Sequence, residues 1–139
     1  MVLSHYNLAS NIAQLSQVFA FKKSDRFLGI LPFFHSFGFT ATMMLPVTKG
    51  VGVMFYPDPF DAPSIGELIR QNEVTFLMAT PTFLQTYLRK CNGEDFGSLQ
   101  YVMAGGEKLQ EPLAAAFEEK FGIRPTEGYG CTECSPAVA

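Results

Sequence analysis

"VTFLMATPTFLQTYLRK", residues 74–90, decides the fold class. Its first six residues are apolar, aromatic or β-branched, which is the composition of a buried strand. Thr80 then offers a side-chain oxygen as a cap, and Pro81 takes the first helical position, where no N–H is needed. Arg89 and Lys90 close the helix at the negative end of its dipole. A strand that feeds directly into a capped helix is half of a β-α-β unit.

The same alternation runs through the rest of the chain. After Ser4, the residues Leu8, Ile12, Leu15, Val18 and Phe19 share one face, so a helix is predicted over about 5–20. "DRFLGIL" (25–31) is a strand stopped by Pro32. "HSFGFTATMMLPVTKG" (35–50) is an apolar helix ending at Gly50, with Pro46 expected to break or kink its last turn. "VGVMFY" (51–56) is a strand ended by Pro57 and Pro59, and "DAPSIGELIRQN" (61–72) opens as a helix start should. "LQYVMAGG" (99–106) is a strand entering a paired-glycine turn, "EPLAAAFEEKFG" (111–122) a helix, and "IRPTEGYG" (123–130) a last, weaker strand. Short strands alternating with helices predict an α/β fold, a mostly parallel sheet with helices on both faces.

With 139 residues, 47% hydrophobic and 17% charged, the chain suffices for one domain that buries roughly two thirds of its unfolded surface. A net charge of −3, with ten Lys and Arg spread along the chain, argues against a nucleic-acid footprint. Pro32, His35, Pro46 and Lys49 interrupt the apolar stretches before they reach the roughly 20 residues of a membrane span. "MVLSHYNLAS" lacks a basic leader and apolar core, and three cysteines is an odd number; reduced thiols in a cytoplasmic protein are expected. Fourteen Phe exceed what a small domain hides, so some rings should line a pocket or face a missing neighbour.

In a parallel sheet, ligands collect beyond the carboxyl ends of the strands. There, "MAGGEKL" (103–109) lets a backbone approach a flat or anionic ligand at Gly105 and Gly106, or serves only as a tight turn. "EGYGCTECSP" (127–136) carries a sharper chemistry. Tyr129 can stack on a base, Gly130 leaves room for a phosphate, Thr132 can donate to it, and Glu133 is a hard oxygen ligand for magnesium. The alternative is a glycine-hinged turn with a solvated acid. Cys131 and Cys134 within it form a Cys-x-x-Cys pair, which admits a small thiol-redox or acyl-binding module. Structural zinc would need four ligands, and beyond this pair only the distant Cys91, His5 and His35 exist. His35, in "LPFFHSFGF" (31–39), either orients a substrate group or is a partly buried, satisfied histidine. Phe33, Phe34, Phe37, Phe39, Met43 and Met44 around it are either core or the wall of an acyl pocket.

In this order, "VLSHYNL", "LPFFHSFGF", "ATPTFL", "MAGGEKL" and "EGYGCTECSP" resemble the central part of the adenylate-forming (AMP-binding) acyl-activating enzymes over essentially the whole chain. The subtype is most similar to long-chain fatty acyl-CoA synthetases, and among these to acyl–acyl-carrier-protein synthetases. The resemblance implies a ligase that joins a fatty acid to the α-phosphate of ATP, releasing pyrophosphate. It then passes the acyl group to the thiol of coenzyme A or of carrier-protein phosphopantetheine, releasing AMP. By position it implies that Gly105, Gly106 and Glu107 lie on the adenine side, that Gly128 and Tyr129 sandwich the base with Gly130 beside them, and that Thr132 contacts the α-phosphate. Glu133 would hold Mg2+, and His35 would sit near the acyl carboxylate. Cys131 falls at the variable position of the motif.

The family's phosphate loop, ribose-binding aspartate, hinge and C-terminal lysine domain have no counterpart in residues 1–139. The chain is therefore expected to be a fragment of the AMP-binding N-terminal domain. Alone it should be unable to complete adenylation, because missing charges stabilise the transition state. It should also self-associate through exposed apolar surface. A regulator that binds nucleotide without chemistry is a third expectation the residues admit.

Overall fold

A computed structural model describes residues 2–139. Five strands, β1 (Arg26–Gly29), β2 (Gly52–Phe55), β3 (Phe76–Ala79), β4 (Tyr101–Ala104) and β5 (Thr126–Glu127), form one sheet in the order β2-β1-β3-β4-β5. Every pairing is parallel. The helices are α1 (His5–Val18), α2 (Leu45–Lys49), α3 (Ala62–Asn72), α4 (Pro81–Lys90) and α5 (Glu111–Phe121).

Strand alternation sorts the side chains onto two faces. On one face the in-register Phe27, Phe76 and Tyr101 make a ladder, with ring centroids 4.6 and 4.5 Å apart. Phe19 and Phe21, just past α1, close on Phe76. On the other face Leu28, Leu77 and Val102 meet Ile65 and Ile69 of α3, Leu84 and Tyr87 of α4, and Phe117 of α5. Helices thus cover both faces, as predicted.

Caps set the helix ends where the sequence placed them. The Ser4 hydroxyl accepts from the Asn7 N–H while the Asn7 side chain accepts from the Ser4 N–H, and the Thr80 side chain accepts from the Phe83 N–H. Gly50 and Gly122 end α2 and α5 in the left-handed conformation.

Two features differ from expectation. The helix predicted over 35–50 is not broken at Pro46: Gly38–Met44 is wound as a π-helix, in which the Leu45 N–H reaches back five residues to the Thr40 carbonyl. Pro46 then opens α2, where a missing N–H is tolerated. A short 3-10 turn, Gly93–Phe96, lies between α4 and β4, with Phe96 buried against Phe117 and Phe121. Local propensity does not announce it; tertiary burial of one ring holds it.

The amino-terminal edge of the sheet is stitched by Asp25, buried at 4% exposure. Its carboxylate accepts from the Lys22 N–H and the Thr75 hydroxyl, and Thr75 in turn accepts from the Arg26 N–H. The carboxyl edge opposite is left to turns. Of the fourteen Phe, Phe27, Phe76, Phe96, Phe117 and Phe121 are buried, whereas Phe34 is 93% exposed. Among the described residues no helix is long and apolar enough to cross a membrane.

Candidate functional site

Three segments converge at the carboxyl edge. The turn after β4 carries Gly105, whose N–H donates to the Ala79 carbonyl. A Cβ there would lie 2.9 Å from the Phe37 ring, so glycine is what lets the ring from the 31–39 loop close on the turn. Gly106 follows at φ +81°. Glu107 turns its carboxylate back to the start of α4, where the Thr82 hydroxyl donates to it at 2.7 Å.

The segment after β5 is a strap with two antiparallel legs. Gly128 donates to the Ala104 carbonyl and so fastens the outgoing leg to β4. Tyr129 exchanges backbone hydrogen bonds with Val138 and Ala139, and the Cys131 N–H donates to the Pro136 carbonyl. Gly130 faces Ala137 between these bonds, and a Cβ on Gly130 would collide with the Pro136 carbonyl oxygen. The tip is a 3-10 turn, Thr132–Cys134, and Ser135 begins the return in left-handed geometry at φ +77°. Tyr129 is 67% exposed, free to stack on a flat ligand, and Glu133 stands exposed at the tip.

The third segment is the 31–39 loop. The Ser36 and Thr132 hydroxyls lie 3.0 Å apart and join the loop to the strap. His35 is exposed, which removes the buried alternative. Its Nδ1 accepts from the Phe37 N–H at 3.2 Å, which leaves Nε2 without a hydrogen-bond partner among the described residues. The apolar side chains divide: Phe37 and Met44 pack on the core, while Phe33, Phe34 and Phe39 line an open groove of about 260 Å³ with Leu3, Leu8 and Thr132. Thr40 also lines it, and its buried hydroxyl has no hydrogen-bond partner among the described residues. A larger depression of about 440 Å³ between α4 and α5 reaches these turns only at Glu107 and Lys108.

All the residues proposed from sequence thus sit on one edge, with Thr132, Gly105 and Gly128 tied to neighbouring segments by direct contacts. Two residues that tie these segments together escaped the sequence reading. Ser36 lay inside a quoted motif, and its hydroxyl beside His35 was the available signal. Glu127 opens the strap motif and accepts from the Leu109 N–H at 3.0 Å, joining it to the β4 turn.

Cys131 and Cys134 are free thiols with sulfurs 3.2 Å apart. The contact with Cys131, with some burial and the nearby Glu133 charge, raises the Cys134 pKa above its ordinary value. A thiol held protonated is a poorer nucleophile than the activated cysteine of a redox site. No group of three His, Cys, Asp or Glu gathers to hold a metal among the described residues. A magnesium ion at Glu133 would thus take its other ligands from phosphate and water, the ordinary habit of that ion.

A doubly covered parallel sheet with glycine turns gathered beyond its carboxyl edge defines an α/β protein of the nucleotide-binding type. The chain belongs to the AMP-binding enzyme family, which matches residues 1–139. It is 34% identical over 140 residues to the probable 4-coumarate–CoA ligase 3 of Dictyostelium discoideum, covering 96% of this chain and 25% of that protein. It is 29% identical over 144 residues to a long-chain-fatty-acid–CoA ligase of Yersinia pestis, covering 99% and 25%. The fold is similar to that of ATP-bound MatB from Rhodopseudomonas palustris, with a TM-score of 0.87, 29% identity, and coverage of 96% of this chain and 26% of that one. The chain therefore spans about a quarter of the length of these relatives. Family membership favours a nucleotide role for the strap over a thiol-redox one.

Proposed function

We propose that this chain carries the adenylate-binding edge of an ATP-dependent acid–thiol ligase acting on fatty acids. The carrying observation is the convergence of the β4 turn, the 31–39 loop and the strap, fastened at Gly105–Phe37 and Ser36–Thr132. The purine lies against Gly105, Gly106, Glu107 and Gly128, with Tyr129 stacked on it and Gly130 giving the backbone room. Thr132 donates to the α-phosphate. Glu133 would hold Mg2+, and the ion's charge would offset the charge that develops on the departing pyrophosphate. His35, through its unengaged Nε2, orients the carboxylate that attacks the α-phosphate. The groove lined by Phe33, Phe34 and Phe39 fits an aliphatic chain, and this favours a fatty acid over a short polar one. Coenzyme A or carrier-protein phosphopantetheine then takes the acyl group.

Relatives of both coumarate and fatty-acid type make the acid the sharper question. Acyl-sulfamoyl-adenosines, stable mimics of the mixed anhydride, separate the two. A long-chain mimic should bind this chain more tightly than the 4-coumaroyl mimic, and Mg2+-dependent AMP binding should be lost in Glu133→Ala. Tighter binding of the coumaroyl mimic overturns the fatty-acid assignment; absence of binding by AMP and both mimics overturns the nucleotide site itself.

A further inference from the structure

The two legs of the strap meet at Gly130 and Ala137 as a pair flanked by, but not making, cross-leg hydrogen bonds. In such a pair each residue directs its N–H and C=O away from the partner leg, as a strand edge does. The outward N–H and C=O of Ala137 are nevertheless both satisfied. The Asn11 side chain, from the middle of α1, donates through Nδ2 to the Ala137 carbonyl at 2.8 Å and accepts through Oδ1 from the Ala137 N–H at 3.1 Å. Asn11 is only 3% exposed, and its Nδ2 also donates to Gln14 Oε1 at 3.2 Å.

A carboxamide places one donor and one acceptor side by side, as a peptide group does, so Asn11 pairs with the strap as a one-residue strand. A carboxylate lacks the donor, and an aliphatic side chain lacks both. Buried hydrogen bonds of this kind cost most when one partner is left unsatisfied. We infer that Asn11 is the positioning residue of the nucleotide turn: from 126 residues away in sequence it holds the return leg, and so holds Tyr129, Thr132 and Glu133 in place. Asn11 acts through Ala137 and does not touch the ligand. This inference rests on the nucleotide role proposed above for the strap.

The test uses Asn11→Ala and Asn11→Asp in this chain, with AMP and Mg2+ as the probe. Titratable or charged groups on the elements around Asn11 are His5 and Tyr6 on α1, Lys49 on α2, and Tyr129, Cys131, Glu133 and Cys134 on the strap. Affinity is therefore read at each pH as a ratio to the original protein, which cancels their titration and that of the AMP phosphate. Asn11→Ala should weaken binding about 30-fold at every pH, the equivalent of two lost net hydrogen bonds. Asn11→Asp should show a similar loss near pH 7, where its carboxylate faces the Ala137 carbonyl. Its ratio should climb back toward one as the pH falls toward about 4, because the protonated acid restores a donor beside an acceptor. Amide exchange at Ala137, likewise read at each pH as a ratio to the rate in the original protein, should be fast in Asn11→Ala at every pH, and in Asn11→Asp fast near pH 7 with the ratio returning toward one in acid.

A pH-independent defect in Asn11→Asp, or affinity in Asn11→Ala equal to that of the original, overturns the inference. If the original protein binds no AMP, the proposed nucleotide site falls and the positioning role with it; the exchange pattern then reports whether the clamp itself exists.

Discussion

Replacing Gly130 by alanine tests the strap at its tightest point. The added methyl group would collide with the Pro136 carbonyl oxygen and lie 3.1 Å from the Pro136 carbonyl carbon, both backbone atoms that no rotamer change can move. Relief requires the legs to separate, which breaks the Cys131–Pro136 and Tyr129–Val138 hydrogen bonds, each 2.9 Å long. At about 1 kcal/mol for each bond, with at least about 1 kcal/mol for the overpacking, the closed strap loses ~3 kcal/mol. That is about a 100-fold drop in the binding-competent form, and AMP affinity measured by calorimetry should fall by the same factor. Neither hydrophobic cluster includes the strap, so local opening should leave the melting midpoint almost unchanged. Gly97→Ala, whose Cβ would meet nothing closer than 3.5 Å, is the control. Binding by Gly130→Ala within twofold of the original would refute the idea that a closed strap is what nucleotide requires.

Asp61 supplies a pH signature away from the site. Hydrogen bonds from the Ser64 side chain and the Tyr56 hydroxyl, joined by the Ser64 N–H at the start of α3, hold the pKa of its carboxylate below the ordinary value. A depressed folded-state value contributes stability above the unfolded pKa of about 3.9, lost as pH falls through the folded one. Thermal melts should therefore show an acid-side loss of stability that is smaller in Asp61→Asn. The thiols give a second check: burial pushes the Cys91 thiol up to about 11, and its Sγ donates to the Ala62 carbonyl. At pH 8 a thiol reagent should label Cys131 and Cys134 in the folded protein and Cys91 only in denaturant.

The division between what was legible and what was not follows the range of the interactions. Thr80–Pro81, Ser4 and Gly50 act within one helical turn, so the element boundaries they set could be read directly. The apolar content of "VTFLMA" and the alternation of strand with helix likewise dictated a parallel sheet covered on both faces. The order of chemical groups in "EGYGCTECSP" drew attention to the strap, because a ring, a hydroxyl and a carboxylate within five residues need no distant partner to suggest a nucleotide.

Tertiary structure decided the rest. Only packing could tell that Phe37 joins the core while Phe34 faces solvent, since neighbouring aromatics on a loop have no periodicity to sort them. Only packing could carry the helix through Pro46 by winding the preceding seven residues more widely. Asn11 sits in an amphipathic helix and meets Ala137 across 126 residues, so nothing near it in sequence marks its carboxamide as the missing edge of a strap. Local chemistry wrote the elements and the reactive groups; the long-range contacts that hold those groups still exist only once the sheet has brought α1 beside the end of the chain.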